Sequence, residues 1–160
     1  MTGAEDWGQL ALDIHLAAHT KAPVLITAPA ACGENVARAI AAFASAWSPP
    51  DLVVCDCAGG GNLAEAVANA RARSSDPDTV TLLLREVHAL GLADQAEVAR
   101  MVADSAETRR AGAPRIISTS SISLFDRVRQ GAFDERLFYR LNVMHIVVKA
   151  KQDSPPPGEA

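Results

Sequence analysis

Aromatic residues are scarce in this chain: two Trp, one Tyr and four Phe make up 4% of 160 residues. The core must therefore be built from aliphatic side chains. Basic residues are not in excess either. Fifteen Lys and Arg stand against 19 Asp and Glu, for a formal net charge of −4. Arg71, Arg73, Arg109, Arg110 and Arg115 are scattered among acids. A nucleic-acid binder carries a basic stripe, and without one direct DNA binding is disfavoured on electrostatic grounds. No apolar run approaches the roughly 18 residues that cross a bilayer, which predicts no membrane association. The N-terminal stretch carries Glu5 and Asp6 rather than basic residues, so no secretory leader is predicted. Three cysteines, an odd number, then point to a reducing cytoplasm. Neither G-x-S-x-G nor H-E-x-x-H occurs, so hydrolase and zincin readings have no support.

What is present is a regular alternation. Apolar positions at helical spacing (Trp7, Leu10, Ala11, Ile14, Ala18) predict a helix over about residues 5–19. The short β-branched run Pro23–Thr27 predicts a buried strand, and Ala28–Gly33 a small-residue turn. An alanine-rich helix is expected from Glu34 to Trp47, stopped by Ser48, Pro49 and Pro50. Leu52–Cys57 reads as the second strand, followed by Gly59, Gly60 and Gly61. Asn62 is a candidate N-cap for a helix reaching Arg73. After a polar turn at Ser74–Asp78 come a strand (Thr79–Val87), a long helix (Leu92–Arg109) and a strand (Arg115–Ser118). Two helical segments, Ile122–Gln130 and Glu135–Leu141, lead to a fifth strand, Met144–Val148. The segment 151–160 is proline-rich and is expected to be disordered. Strands apolar throughout and alternating with helices predict a parallel α/β sandwich of one domain over 1–150. Ligands of such folds bind outside the carboxyl ends of the strands.

Gly131–Val143 reads G-A-F-D-E-R-L-F-Y-R-L-N-V. It resembles the G-x-F-R-x-D-L-Y-Y-R-L-N-V signature of the AAA+ ATPase domain in sigma-54-dependent transcription activators. Other stretches follow in the same order. Val24–Thr27 and Val36–Ile40 are similar to the strand and helix flanking the family's phosphate loop, and Asp51–Ala58 to its second strand. Thr81–Leu90 (T-L-L-L-R-E-V-H-A-L) is similar to the Walker B stretch T-L-F-L-D-E-V, and Arg115–Leu124 to the sensor strand. The resemblance implies a P-loop NTPase α/β subdomain, without the helical lid, whose five-stranded parallel sheet has the order 5-1-4-3-2.

The same resemblance implies that the family's chemistry is mostly missing here. The phosphate loop becomes Ala28-Pro29-Ala30-Ala31-Cys32-Gly33-Glu34-Asn35, one residue short, with Gly33 alone kept of the glycines. The lysine is either deleted or replaced by Glu34, a carboxylate facing phosphate. Arg85 stands for the Walker B aspartate, and Glu86 keeps the following acid. Ser121 replaces the sensor asparagine, Asp134 an arginine, and Arg140 is retained. A phosphoryl-transfer site needs lysine and Mg²⁺ to neutralise charge. The expectation is therefore a pseudo-ATPase with no confident catalytic residue and Glu86 as a vestigial acid. Cys32, Gly33, Glu34, Asn35, Arg85, Glu86, Ser121 and Arg140 form the vestigial nucleotide site. No cofactor and no metal are expected, with Mg-ATP as the alternative. The sigma-54-gripping G-A-F-T-G-A loop is not found between Ala58 and Asp78. The implied function is a non-catalytic interaction or regulatory module in transcription or signalling, acting through a protein partner or self-association. The alternative is an ATP-binding sigma-54-type regulator.

Three further groupings have bland readings. Cys55 and Cys57 point to one face of a strand and are expected to be buried small hydrophobes, a metal or redox site with His88 being the alternative. His15 and His19, four apart on a helix, permit metal binding but are expected to be ordinary surface or partly buried residues. Arg140 is placed either in a structural ion pair, with Glu86 or Asp56 as acid, or against a ligand.

Overall fold

The computed structural model describes residues 3–44, 51–73, 80–108 and 114–149. The elements run α1 (Gly3–Ala18), β1 (Val24–Thr27), α2 (Ala30–Ala44), β2 (Asp51–Asp56), α3 (Leu63–Ala72) and β3 (Val80–Arg85). After a single 3-10 turn at Val87–Ala89 come α4 (Leu92–Thr108), β4 (Arg115–Ser120), α5 (Leu124–Arg129), α6 (Glu135–Leu141) and β5 (Met144–Val147). The five strands form one sheet in the order β2-β3-β4-β1-β5, every pairing parallel. Read from the other edge, this is the expected 5-1-4-3-2. The expected turns at Ser48–Pro50 and Ser74–Asp78, and the segment 151–160, lie outside the described residues.

Successive side chains of a strand point to opposite faces, and here both faces are covered. Leu25, Leu82, Leu84 and Ile116 join one apolar cluster with α3, α4 and α6. Val24, Ile26, Leu83 and Ile117 join the other, under α1 and α2. Leu82, Leu83 and Leu84 are each 0% exposed, so three adjacent residues of β3 anchor both layers. Full burial of each such side chain contributes about 1.5–3 kcal/mol. Arg115, at the start of β4, ties α1 to the sheet: its guanidinium donates to the Ala17 carbonyl at the end of α1. Burial pulls its pKa down to about 10, so it stays charged at neutral pH and suits the negative end of the helix.

Three caps explain where helices begin. Asn62 accepts from the Glu65 N–H, Ser123 from Asp126 and Asp134 from Arg136. Each side-chain oxygen satisfies a first-turn donor that the helix cannot. The signature segment is held structurally. Gly131 takes φ +76, which glycine accepts without cost, and Phe133, Leu137, Phe138 and Leu141 are buried. Gln95, 2% exposed, donates to Leu90 O and Ala132 O and accepts from the Asp134 N–H.

Two elements depart from expectation. The third strand, expected to reach Val87, ends at Arg85, because Glu86 turns left-handed into the 3-10 turn at Val87–Ala89. The small-residue turn expected at Ala28–Gly33 is mostly helix, because α2 starts at Ala30 rather than Glu34. Ala30 and Ala31 are strong helix formers, and the Pro29 carbonyl takes the first helical bond from Gly33 N–H at 2.9 Å.

Leu83→Ala should lower stability by about 2–5 kcal/mol, the usual range for a fully buried leucine, measured by urea denaturation at neutral pH.

Candidate functional site

The carboxyl ends of β1, β3 and β4 place three segments together. From β1 the chain passes through Ala28 and Pro29 into α2. Ala28 N–H donates to Ser120 O at 3.1 Å, across to β4. Gly33 is buried, and a Cβ there would lie 3.3 Å from Thr119 Cβ. That close approach fixes the first turn of α2 against β4. Cys32 and Asn35 point outward and are exposed, so they line no enclosed site.

Glu34 and Arg85 meet. Arg85 Nε lies 3.5 Å from Glu34 Oε2, and Arg38 donates to Glu34 Oε1 at 2.8 Å from Nη2. Both carboxylate oxygens of Glu34 thus face arginines. The Glu34 and Arg85 side chains are 23% and 32% exposed. At such exposure each pair contributes no more than about 1 kcal/mol, yet together they occupy the ground between α2 and β3.

Glu86 is the one non-glycine residue with positive φ (φ 54, ψ 52) among the described residues. A left-handed conformation costs a side-chain-bearing residue about 1–2 kcal/mol. It is held there by contacts: its N–H donates to Thr119 Oγ1 at 3.3 Å, and its Oε2 accepts from Ser121 Oγ at 2.6 Å. Its Oε1 is buried and has no hydrogen-bond partner. His88 Nε2 lies 3.5 Å from Glu86 Oε2. On the other side of the ring, Ser120 Oγ donates to Ile122 O at 2.6 Å. It must therefore accept from His88 Nδ1–H, at 3.0 Å. Neutral His88 then carries no proton on the nitrogen that faces Glu86.

The site residues expected from the sequence divide accordingly. Glu34 meets Arg85 and Glu86 meets Ser121, while Gly33 packs against Thr119. Arg140 does not join them: its Nη1 donates to Ala99 O on α4 at 3.2 Å, which corrects the ion pair considered with Glu86 or Asp56. Asp56 instead accepts from the N–H groups of Ala58 and Gly59. His88 turns to Ser120 and Glu86 rather than to the cysteines. Cys55 is buried and Cys57 half-buried against the same cluster, and burial raises both thiol pKa values. The His15 and His19 rings lie side by side at a 55° tilt, centroids 4.4 Å apart, with His19 Nδ1–H donating to His15 O. Among the described residues no group of three His, Cys, Asp or Glu converges on a metal position. The sequence reading missed Gln95, Thr119 and Ser120. Only Gln95 left a signal, an amide in step with Val98 and Val102 on the inward stripe of α4.

Comparison with known proteins gives a consistent picture. Residues 4–150 match the family model described as the sigma-54 interaction domain. The regulatory protein AtoC of Escherichia coli is 35% identical in an alignment of 79 positions that covers 46% of this chain and 17% of AtoC. NtrX of Brucella abortus, solved in complex with ATP, superposes with a TM-score of 0.69 at 27% identity, over 90% of this chain and 37% of that one. The P-loop NTPase domain of a sigma-54 activator from E. coli superposes at 0.66 and shares the fold, at 17% identity, over 90% of this chain and 96% of that one. The chain thus spans well under half the length of AtoC and NtrX.

Burial holds the His88 imidazole below its usual 6.5; Glu86 opposes this and Arg127 adds to it. The folded chain therefore binds fewer protons at this ring than the unfolded chain, and stability rises with pH. The contribution is complete above about pH 6.5 and is lost as pH falls through the lowered folded value. Urea denaturation at neutral and mildly acidic pH should show lower stability in acid, and His88→Gln should reduce that difference.

Proposed function

The chain belongs to the sigma-54 interaction domain family, and within it we propose a non-catalytic module that acts through protein–protein contacts in transcription or signalling. The observation that carries this reading is the Glu34–Arg85 ion pair at 3.5 Å. At a working P-loop site the two charges have the opposite placement, lysine toward phosphate and a carboxylate toward Mg²⁺. Here the acid sits on α2 and the base on β3, so an incoming Mg-nucleotide meets like charge at both contacts. It must also separate a pair that already satisfies itself. Such a cost reaches several kcal/mol in a partly desolvated cleft, an order of magnitude. The contact favours placing the one-residue gap so that Glu34 takes the lysine position.

Backbone geometry supports the same reading. A phosphate loop works by presenting free N–H groups. Here Gly33 N–H serves the first turn of α2 and Ala28 N–H serves Ser120, while Pro29 has none to offer. The residues present do not suit a magnesium nucleotide, and no hydrolytic step is assigned to them. On this reading the retained fold serves self-association or the binding of an active relative, and the fold signature is kept for packing.

A second reading, an ATP-binding regulator with little or no hydrolysis, is favoured by two observations. Glu86 is held in a strained conformation and hydrogen-bonded by Ser121, as strained residues at functional sites often are. NtrX, 27% identical, was solved with ATP.

Thermal unfolding with millimolar Mg-ATP separates the two. The non-catalytic module should show no shift. The double variant Glu34→Lys/Arg85→Asp, which restores the usual polarity, should gain one. A ligand at 100 times its dissociation constant adds about 2.7 kcal/mol, a shift of several degrees. A saturable shift in the wild-type chain would sink the first reading and leave the second.

A further inference from the structure

α1 packs on the domain through one stripe and leaves the opposite stripe open. Leu10, Ile14 and Ala17, at helical spacing, join the apolar cluster under α1 and α2. Successive residues turn by about 100° around a helix, so Leu12, His15 and Leu16 lie on the far side. His19 extends this outer stripe: it follows α1 by one residue, and its N–H still closes on Leu16 O at 3.2 Å. Leu12 and Leu16 are 51% and 52% exposed, and both histidines are exposed. From Gly8 to His19 the outer stripe carries no acid.

The two imidazoles are arranged as a chelating pair. Their ring centroids are 4.4 Å apart, and His19 Nδ1 lies 2.8 Å from His15 O. A carbonyl oxygen only accepts, so Nδ1 carries the proton and Nε2 of the neutral His19 ring keeps its lone pair free. A histidine that holds a metal is ordinarily fixed in this way, its other ring N–H donating to a backbone carbonyl or carboxylate. Two histidines four apart on one helical face can both reach a single ion. The pair also sits at the carboxyl end of α1, where the helix dipole favours a cation. Among the described residues no third His, Cys, Asp or Glu converges with them.

We propose that His15 and His19 bind a divalent transition ion of the Zn²⁺ type, and that the same pair on a second copy of this chain completes its coordination. Imidazole suits such ions, and Zn²⁺ takes four ligands in a tetrahedron, at about 2.0–2.1 Å from each imidazole nitrogen. One chain supplies two of the four. A two-fold axis through the ion brings the other two from the same residues, the commonest symmetry of oligomers. Leu16 lies between the two histidines, next to that axis, so the second copy covers it. Each chain carries a net charge of −4, and an acid-free stripe holding a dication is a face on which two such chains meet with little repulsion. This inference is independent of whether the domain binds nucleotide.

The test is sedimentation of the whole chain at neutral pH in a non-thiol reductant, with EDTA or with zinc chloride. The chain should be monomeric in EDTA and become a dimer at one Zn²⁺ per two chains, reversibly. His15→Gln and His19→Gln, at exposed positions, should each lose the dimer at that ratio while keeping the wild-type circular dichroism. Cys32→Ser, which removes the exposed thiol, should keep it. A readout that needs no variant is the ring proton signals of the four histidines: Zn²⁺ should shift those of His15 and His19 and leave those of His88 and His145 in place. A dimer in EDTA, or a monomer that binds Zn²⁺ one to one, would overturn the proposal. So would a Zn²⁺ dimer that survives either histidine variant or is lost with Cys32, or Zn²⁺ shifts confined to the other two rings.

Discussion

A parallel sheet has to be covered on both faces, and in this chain that requirement organises everything else. β3 meets it most completely, with Leu82 and Leu84 on one side and Leu83 on the other, all fully buried. Once three adjacent residues are committed to two opposite layers, the strand cannot slip by one position without exposing one layer's side chains. The helices must then cover both faces, α1 and α2 on one and α3, α4 and α6 on the other, and the turns after β1, β3 and β4 come out at one edge. Glu34 becomes a neighbour of Arg85, and Ser121 of Glu86, across long stretches of sequence, because the sheet brings these turns to one edge.

At that edge the charges answer one another within the chain. Glu34 is shared between Arg38 and Arg85, and Glu86 is held by Ser121 at its carboxylate and by Thr119 at its N–H. A site made for a highly charged ligand usually leaves charge unmatched for that ligand to meet. Here most of it is matched already, the buried Oε1 of Glu86 being the exception. This balance underlies the non-catalytic reading more than any single replacement does.

The strands and the main helices were legible in the sequence, because β-branched runs and alanine-rich helices carry strong periodic signals, and the resemblance around Tyr139 supplied the sheet order. Contacts were less legible. Glu34 and Arg85 were each suspect alone, but their pairing depends on where α2 begins, and two alanines moved that start four residues earlier than the glycine pattern suggested. Arg140 went to a backbone carbonyl on α4 rather than to an acid, a choice that depends on helix packing and leaves no trace in spacing. Gln95 looked like one amide among many, and only the folded loop shows it satisfying three backbone groups.

Asp134 stands where the family signature has an arginine, and its carboxylate now caps α6 by accepting the Arg136 N–H at 3.0 Å. That helix is seven residues long and supplies Leu137, Phe138 and Leu141 to the core. A side chain without an acceptor oxygen at this position would weaken its first turn by about 1 kcal/mol. The replacement has thereby acquired a structural role of its own. An arginine at position 134 would carry that cost unless another residue took over the cap.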